Sequence, residues 1–342
     1  MISDLILTEK DRSFFAEEIN SRLPQKVWDI HQHISLEKNI GEIPPEMYAA
    51  DWAIQCGAAM TAEEYHAFAA DIYPGREVKS TAFGAVIKGG NHAGHNQYIA
   101  SLLKEKKLDA GLMILDPSVS AEETARVYDE GGFSGYKPYA DMVACAKAAD
   151  IPFPEFMPDA HMKVLNDRKG LLMLHVPRAG RLPDDRNIRE LKELRQKFPD
   201  ITIVIAHMGR SYCPAHFVEA MQKLGGDINA FHYDFAAVIN PAVIQLALEY
   251  LDHDQIHYGT DLPVFWWHGR RQWTETSYRN LAREDFPWNQ HIEGKEAEEE
   301  YTLFLYEQLK NLLDVTGQAN NPTELREKIF YRNSEKLFNK KA

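Results

Sequence analysis

Residues 27–33 read VWDIHQH, and this stretch decides how the chain folds. Its apolar residues are typical β-formers and no helical period fits them, so we predict a buried strand. Residues two apart on a strand project from the same face, which places the side chains of His31 and His33 together, about 7 Å apart along the backbone. Two imidazoles at this spacing can bind one metal ion, although two ordinary strand histidines would show the same pattern.

Seven more apolar segments follow along the chain, and helical patterns separate most of them. The predicted strands after the first are 81–87, 110–115, 133–138, 171–176, 201–206, 228–235 and 256–258. Nearly continuous apolar strands alternating with helices indicate parallel βαβ units whose strands are buried on both faces. Eight such strands predict an α/β fold, a closed (β/α)8 TIM barrel rather than an open doubly wound sheet.

Three segments lie outside the regular repeat. Residues 1–24 predict a helical lead-in, and residues 35–77 predict a loop and short helices inserted after the first strand, where they could cover a site. From about residue 265 to residue 342 we predict a long Trp-rich loop and a helical extension, which serves either as a lid or as the interface of a homo-oligomer. No linker divides the chain, so residues 1–342 are expected to form a single barrel domain.

The composition of the chain limits which partners it can bind and indicates its cellular compartment. A formal net charge of −13 argues against a nucleic-acid or anionic-membrane partner, and no apolar stretch reaches the 18 residues that a membrane span needs. Cys56, Cys145 and Cys213 show no CxxC spacing, and so few cysteines in so long a chain favour a reducing compartment. We therefore expect a cytoplasmic protein that acts on a small molecule.

Polar residues cluster where the predicted strands end. In a parallel barrel the carboxyl ends of the strands share one face, and active sites lie there. The strand ends carry His31, His33, Lys137, His175, His207, Asp234 and Asp261. A lone core histidine or a lone aspartate at a helix cap would be ordinary. Their joint occurrence predicts a site for a divalent ion such as zinc, since imidazole and carboxylate suit such ions.

Five short motifs together resemble the amidohydrolase superfamily. They are DIHQH at 29–33, LH at 174–175, IAHMGR at 205–210, YGTDLP at 258–263 and IFYRNSEKLF at 329–338. The closest resemblance is to the amidohydrolase-2 branch, which includes the aminocarboxymuconate-semialdehyde decarboxylase-like enzymes. It covers roughly residues 25 to 338, which is essentially the whole predicted barrel.

The resemblance implies a single divalent metal held by His31, His33, His175 and Asp261. Zinc is the favoured ion, with manganese or another divalent ion as the alternative. Such an ion lowers the pKa of a bound water from about 15.7 toward about 7, and a carboxylate beside that water is a natural general base. Asp261 and His207 are therefore the expected catalytic residues, with His207 polarising the water or the substrate.

Lys137, at the end of the fourth strand, allows three interpretations. Some branches of the superfamily carry a carbamylated lysine there that bridges two metals, so a second metal is expected only if Lys137 is carbamylated. We favour a cation that pairs with a substrate carboxylate, and a structural salt bridge is a further alternative. Tyr139, two residues on, either orients a substrate oxygen or packs.

Two arginines and one aspartate complete the candidates. Arg178 and Arg210 each follow a site histidine by three residues, and a planar guanidinium suits bidentate carboxylate binding, although surface arginines would look the same. Asp234 is expected to hold the tautomer of an imidazole.

The sequence predicts a metal-dependent hydrolase that acts on a small carboxylated substrate, such as a lactone or an amide, with a metal-activated water. The alternative is a lyase, either a non-oxidative decarboxylase or a hydratase, since the same branch uses the same ligands for both. An isomerase also fits. A barrel that only binds its ligand is disfavoured, because the four predicted ligands are all present.

Overall fold

A computed structural model describes residues 7–57, 59–143 and 150–339. Eight parallel strands pair in chain order, β1 with β2 and so on to β8, around a nearly closed barrel. The strands are β1 Lys26–His33, β2 Glu77–Phe83, β3 Ala110–Ile114, β4 Gly135–Lys137, β5 Leu171–Leu174, β6 Thr202–Ile205, β7 His232–Asp234 and β8 Ile256–His257. The TIM barrel predicted from the sequence is confirmed.

The residues that follow β8 close the barrel against β1. The amide of Asp261 donates to the carbonyl of His31 at 2.7 Å, and the amide of His33 donates to the carbonyl of Leu262 at 2.7 Å. The backbones approach so closely that a Cβ added at Gly259 would lie 2.9 Å from the Cβ of His31. The β1–β8 seam is therefore built by predicted metal ligands and their neighbours.

One long helix follows each strand and covers the outside of the barrel. These helices are Ala62–Ile72, His92–Lys104, Ala121–Gly131, Asp159–Asp167, Asp185–Lys197, Pro214–Leu224, Pro241–Tyr250 and Phe304–Thr316. The fifth shows why they form: Asp184 caps its first amides and basic residues occupy its last turn, as the helix dipole favours. Among the described residues, no helix has both the length and the apolar composition that crossing a bilayer requires.

The insertion after β1 contains short helices, as predicted. They are Glu37–Ile40, Pro45–Ala50 and Trp52–Gln55, before the first long helix. Another short helix, Phe153–Phe156, follows β4. Cys56 and Cys213 are free and buried, and Cys145 lies outside the described residues.

The C-terminal segment corrects one expectation. The predicted Trp-rich loop instead forms an antiparallel hairpin, β9 Gly269–Trp273 and β10 Tyr278–Ala282, whose turn is closed by Thr274 and Ser277. The extension is helical as predicted. After the hairpin it contains Lys295–Glu298, Pro322–Glu327 and Asn333–Asn339 in addition to the eighth long helix.

A buried carboxylate joins the N-terminal helix to the C-terminal extension. Asp11, in the N-terminal helix Glu9–Phe14, accepts from the backbone amide of Leu303 at 2.8 Å and from Nε2 of His268 at 2.9 Å. Nδ1 of His268 lies 2.8 Å from Glu284, so both ring nitrogens face a carboxylate. Burial works against both charges, but hydrogen bonds reverse its effect: they lower the pKa of Asp11 to about 2 and raise the pKa of His268.

Candidate active site

A cavity of about 320 Å³ opens at the carboxyl ends of the strands. This is the face on which TIM-barrel enzymes place their active sites. Six predicted site residues line it: His33, Tyr139, His175, His207, Arg210 and Asp261.

Three of the candidates form the tightest group. One ligand atom from each of His31, His207 and Asp261 lies within 4.8 Å of the other two, and all three residues are buried. Nε2 of His31 is 3.3 Å from Oδ1 of Asp261, and Nε2 of His33 is 3.5 Å from the same oxygen. The structure therefore brings three predicted histidines to the carboxylate of Asp261.

The three imidazoles share one orientation. In each, Nδ1 faces a hydrogen-bond acceptor, so Nδ1 carries a proton and Nε2 is the nitrogen that can bind a metal ion. The acceptors are Oδ2 of Asp234, 2.9 Å from His31, the carbonyl of Gly84, 3.2 Å from His33, and the carbonyl of Ala236, 3.0 Å from His207. An imidazole nitrogen with a free lone pair is the form that binds a metal ion.

The charges of the group fit a divalent cation. Burial alone would raise the pKa of Asp261, but His207, His31 and His33 hold it well below its usual range, so the carboxylate is ionised. Burial lowers the pKa of His207 to about 4, so this imidazole is neutral at pH 7. Lone pairs on Nε2 of His31 and on a carboxylate oxygen 3.3 Å away repel unless a proton or a cation lies between them. The donor set of imidazole nitrogen and carboxylate oxygen matches zinc or manganese.

Lys137 does not line the cavity, but it faces the same ring nitrogen of His31 that faces Asp261. Its side chain is fully buried, and Nζ is 3.2 Å from Nε2 of His31 and 4.6 Å from the centroid of Phe83. Burial lowers the pKa of Lys137 from 10.5 to about 8. The ammonium therefore sits beside the candidate metal group, where either predicted role, anion clamp or carbamate, would act directly on that group.

His175 belongs to the outer part of the group. Its ring stacks on Tyr139 with centroids 5.6 Å apart, and it contacts the edge of His207 at 5.5 Å. Among the described residues, neither ring nitrogen of His175 has a hydrogen-bond partner. Burial, together with Arg210, keeps the pKa of His175 well below its usual value, so the ring is neutral. Its role as a metal ligand stays a prediction.

The two candidate arginines lie in different places. Arg210 lines the cavity, and its Nη1 donates to the carbonyls of Val176 and Arg178 at 3.3 and 3.1 Å. Arg178 points into the protein: its side chain is 3% exposed, and it donates to Asn187 at 2.7 Å and to Glu190 at 3.0 Å. The structure does not bring the guanidinium of Arg178 to the cavity, because an internal ion pair holds it.

The turn that carries His207 has an unusual backbone. Residues His207, Met208, Gly209 and Arg210 have φ values of 56°, 50°, 67° and 63°, in the left-handed region that non-glycine residues rarely adopt. A Cβ added at Gly209 would lie 2.4 Å from Leu182, so the glycine is required by space as well as by conformation. Strain of this kind concentrates at functional sites.

Residues 28–340 match the family model described as Amidohydrolase. This chain belongs to the amidohydrolase family. The match covers the barrel from β1 to the last helix, so the resemblance inferred from the five motifs is confirmed. No curated protein is similar enough in sequence to match this amidohydrolase.

Solved structures share the fold of this amidohydrolase at low sequence identity. A 5-carboxyvanillate decarboxylase from Novosphingobium aromaticivorans, complexed with manganese and 4-hydroxy-3-methoxy-5-nitrobenzoic acid, has a TM-score of 0.56 and 14% identity, with 99% of each chain covered. A 2,6-dihydroxybenzoate decarboxylase from Rhizobium has a TM-score of 0.54 and 13% identity, covering 92% of this chain and 99% of its own. A probable 2-pyrone-4,6-dicarboxylic acid hydrolase from Acinetobacter baumannii, with citric acid bound, has a TM-score of 0.54 and 12% identity, covering 91% and 98%.

An aromatic wall of this amidohydrolase was not predicted from the sequence. Trp52 from the insertion, Tyr212 after β6 and Tyr278 from the hairpin all line the cavity. Residues 269–273 and 278–282 are separated by a short polar turn, and this hairpin signal could have identified Tyr278. The other two have no local signal, since the tertiary fold alone brings them to the cavity.

Proposed function

We propose that this amidohydrolase is a metal-dependent enzyme that acts on a small carboxylated substrate. The observation that carries the proposal is the shared orientation of His31, His33 and His207, whose Nδ1 atoms donate elsewhere and leave Nε2 as the nitrogen that can bind an ion near the ionised carboxylate of Asp261. His31, His207 and Asp261 would hold one divalent ion, with His33 and His175 next to them. When bound, the ion supplies Lewis acidity to a water or to a substrate oxygen.

The substrate roles follow from position and charge. Arg210 lies in the cavity and keeps a fixed orientation because backbone carbonyls hold its Nη1, so it can pair with a substrate carboxylate. Lys137 adds a second positive charge beside His31, beneath the residues that line the cavity. Tyr139 lines the same cavity, and its hydroxyl can orient a substrate oxygen. The aromatic wall excludes water from the face of a flat substrate.

Hydrolysis is the first candidate reaction. A water in the cavity would give its proton to Asp261 as it attacks the carbonyl carbon of a lactone or amide, and Asp261 would return that proton to the leaving group. His207 is neutral and buried, so it would add no net charge to the site. Its role would be to orient the water or the carbonyl oxygen.

Non-oxidative decarboxylation is the second candidate, favoured by the two decarboxylases with the same fold. In that reaction the bond from ring carbon to carboxylate breaks, its electron pair stays on the ring carbon and carbon dioxide leaves. The ring carbon would then take up a proton from solvent water, directly or relayed through Asp261. The fixed guanidinium of Arg210 and the aromatic wall would suit a carboxylated aromatic ring as well. Zinc remains the first choice of ion, and manganese is the alternative, because the carboxyvanillate decarboxylase was solved with it.

The decisive experiment combines metal analysis with product analysis. We expect about one divalent ion per chain in the purified protein, and loss of activity on chelation that zinc or manganese restores. Carboxylated lactones and hydroxybenzoates are then tested in ¹⁸O-labelled water: label in an acid product identifies hydrolysis, and release of carbon dioxide without label in the organic product identifies decarboxylation. Activity that survives complete metal removal would contradict the proposal.

The setting of the enzyme is also proposed from its composition. Cys56 and Cys213 are free thiols in the described structure, and a net charge of −13 disfavours nucleic-acid partners. Both features support a reducing cytoplasm and a small-molecule substrate.

A further inference from the structure

We propose that Asp234 is a positioning residue that fixes both the proton on His31 and the backbone turn that carries His207. This inference rests on the proposed metal site, because its purpose is to prepare two ligands from different strands at once. Asp234 does not line the cavity and so touches no substrate. It acts through the two histidines.

Both oxygens of Asp234 are engaged. Oδ2 lies 2.9 Å from Nδ1 of His31, while Oδ1 accepts from the backbone amides of His207 at 2.8 Å and Ala236 at 3.0 Å. The side chain of Asp234 is fully buried, and the three groups that it contacts, a ring nitrogen and two backbone amides, can all donate to it. A buried carboxyl group at the end of β7 thus connects β1 with the turn after β6.

The contact with His31 determines which ring nitrogen is free. A neutral imidazole has one N–H, and it lies on the nitrogen that finds an acceptor. A carboxylate accepts hydrogen bonds and donates none, so Oδ2 of Asp234 keeps the proton of His31 on Nδ1. Nε2, which faces Asp261 at 3.3 Å, is then the nitrogen with the lone pair.

The contact with His207 stabilises a strained backbone. His207 has a φ of 56° and its neighbours in the turn are also left-handed, a conformation that costs free energy for residues other than glycine. Its amide is buried and would lack a partner without Oδ1 of Asp234. The turn also sets the position of Arg210, three residues on, so the same hydrogen bond orients a cavity-lining residue indirectly.

Asp234→Asn separates these two effects. The amide oxygen of asparagine can still accept from the amides of His207 and Ala236, and facing its NH₂ group toward those two donors would lose both bonds. The NH₂ group therefore faces His31, where it demands an acceptor. Nδ1 of His31 must then give up its proton, which moves to Nε2, the nitrogen that faces Asp261.

The matched control is Asp11→Asn. Asp11 is likewise fully buried and bridges an imidazole at 2.9 Å and a backbone amide at 2.8 Å, but it lies at the junction of the N-terminal helix and the C-terminal extension. If Asp234 were merely structural, both substitutions would affect stability and neither would alter the ring of His31.

The primary measurement is ¹⁵N NMR of the His31 ring in the metal-free proteins. We expect a proton on Nδ1 in the wild type and in Asp11→Asn, and no proton on Nδ1 in Asp234→Asn. Zinc affinity, measured by competition with a chelator, should fall about 10- to 100-fold in Asp234→Asn and remain unchanged in Asp11→Asn. Near-ultraviolet circular dichroism verifies that each variant is folded.

The outcomes separate this inference from the proposed function. An unchanged His31 tautomer in Asp234→Asn would overturn the positioning role, whether or not the protein binds metal. An equal loss of zinc affinity in both variants would show that Asp234 has only a structural role. A wild type that binds no zinc or manganese would overturn the proposed function, while the tautomer result would still decide the role of Asp234.

Discussion

Two buried carboxylates in this molecule make nearly identical contacts and serve different ends. Asp234 and Asp11 each bridge an imidazole at 2.9 Å and a backbone amide at 2.8 Å. The difference lies in the far nitrogen of the imidazole. In His31 it faces the candidate metal group, whereas in His268 it is engaged by Glu284 at 2.8 Å.

This difference teaches how one bonding pattern yields either a ligand or a structural contact. A carboxylate on one side of an imidazole fixes the proton and leaves the other nitrogen available. His31 also has a second carboxylate, that of Asp261, but this pair lies with His207 in the candidate metal group, where a cation can replace a proton between them. The two carboxylates around His268 favour the doubly protonated ring, which holds two elements together. The following changes test the contrast, beginning with the largest expected effect.

Replacing His31 with alanine should abolish both metal binding and activity. The loss of a ligand at the centre of the group should cost more than the roughly 10- to 100-fold typical of an outer partner. The counterpart is His268→Ala, which should lower the melting temperature and retain the metal. Metal content and turnover are measured on both proteins, and full metal retention in His31→Ala would refute the ligand assignment.

Replacing Asp261 with asparagine should reduce the rate more than the metal content. The amide oxygen can still coordinate, but it cannot take up a proton, and loss of a general base typically costs about 10²- to 10⁴-fold. Turnover per bound metal ion is the appropriate measure. Near-normal turnover would remove Asp261 from the proton-transfer role and leave it as a ligand only.

Replacing Lys137 with alanine should have an intermediate effect. As an anion clamp, Lys137 contributes one charge-assisted contact, so the variant should lose about 1.5 to 3 kcal/mol of transition-state stabilisation as measured by kcat/KM. The loss should come mainly from a higher KM, and one metal ion should be retained. If Lys137 is instead carbamylated, the wild type holds two metal ions and the variant loses at least one. Metal counting on the two proteins decides between these readings.

Replacing Asp11 with asparagine should change stability and leave turnover intact. Asp11 has a lowered pKa, so its contribution is present above pH 3.8 and is lost as the pH falls toward 2. His268 has a raised pKa, so its contribution is present below pH 6.5 and is lost as the pH rises through the raised value. The stability difference between wild type and variant should therefore be largest between pH 4 and 6.5, at about 2 kcal/mol. A difference that stays constant from pH 2 to 9 would refute the ion pair.

The sequence predicted the barrel because its signal is local and repeated. Each strand is a short apolar run, and the polar residue at its carboxyl end faces the same side of the barrel, which brought His33, His175, His207 and Asp261 to one cavity. Such regularity needs no knowledge of side-chain direction.

The failures concern residues whose surroundings come from distant parts of the chain. Arg178 has the same spacing from a histidine as Arg210, but Glu190 and Asn187 in the following helix draw it inward. The hairpin was not predicted because its strands, GRRQW and YRNLA, are rich in polar residues and lack the apolar run of the barrel strands. His207 was expected beside the metal group, and its membership in the tightest group depends on a turn that no sequence pattern specifies.

The seam between β1 and β8 determines how this protein should lose activity on heating. The backbone bonds that close the ring, from Asp261 to His31 and from His33 to Leu262, are made by the same residues that surround the cation site. Any fluctuation that opens the ring there separates the ligands, even while the other seven strand pairs remain intact. Deuterium uptake at the amides of His33 and Asp261 should thus report the same opening event that ends turnover, and an ion bound between these strands should slow both together.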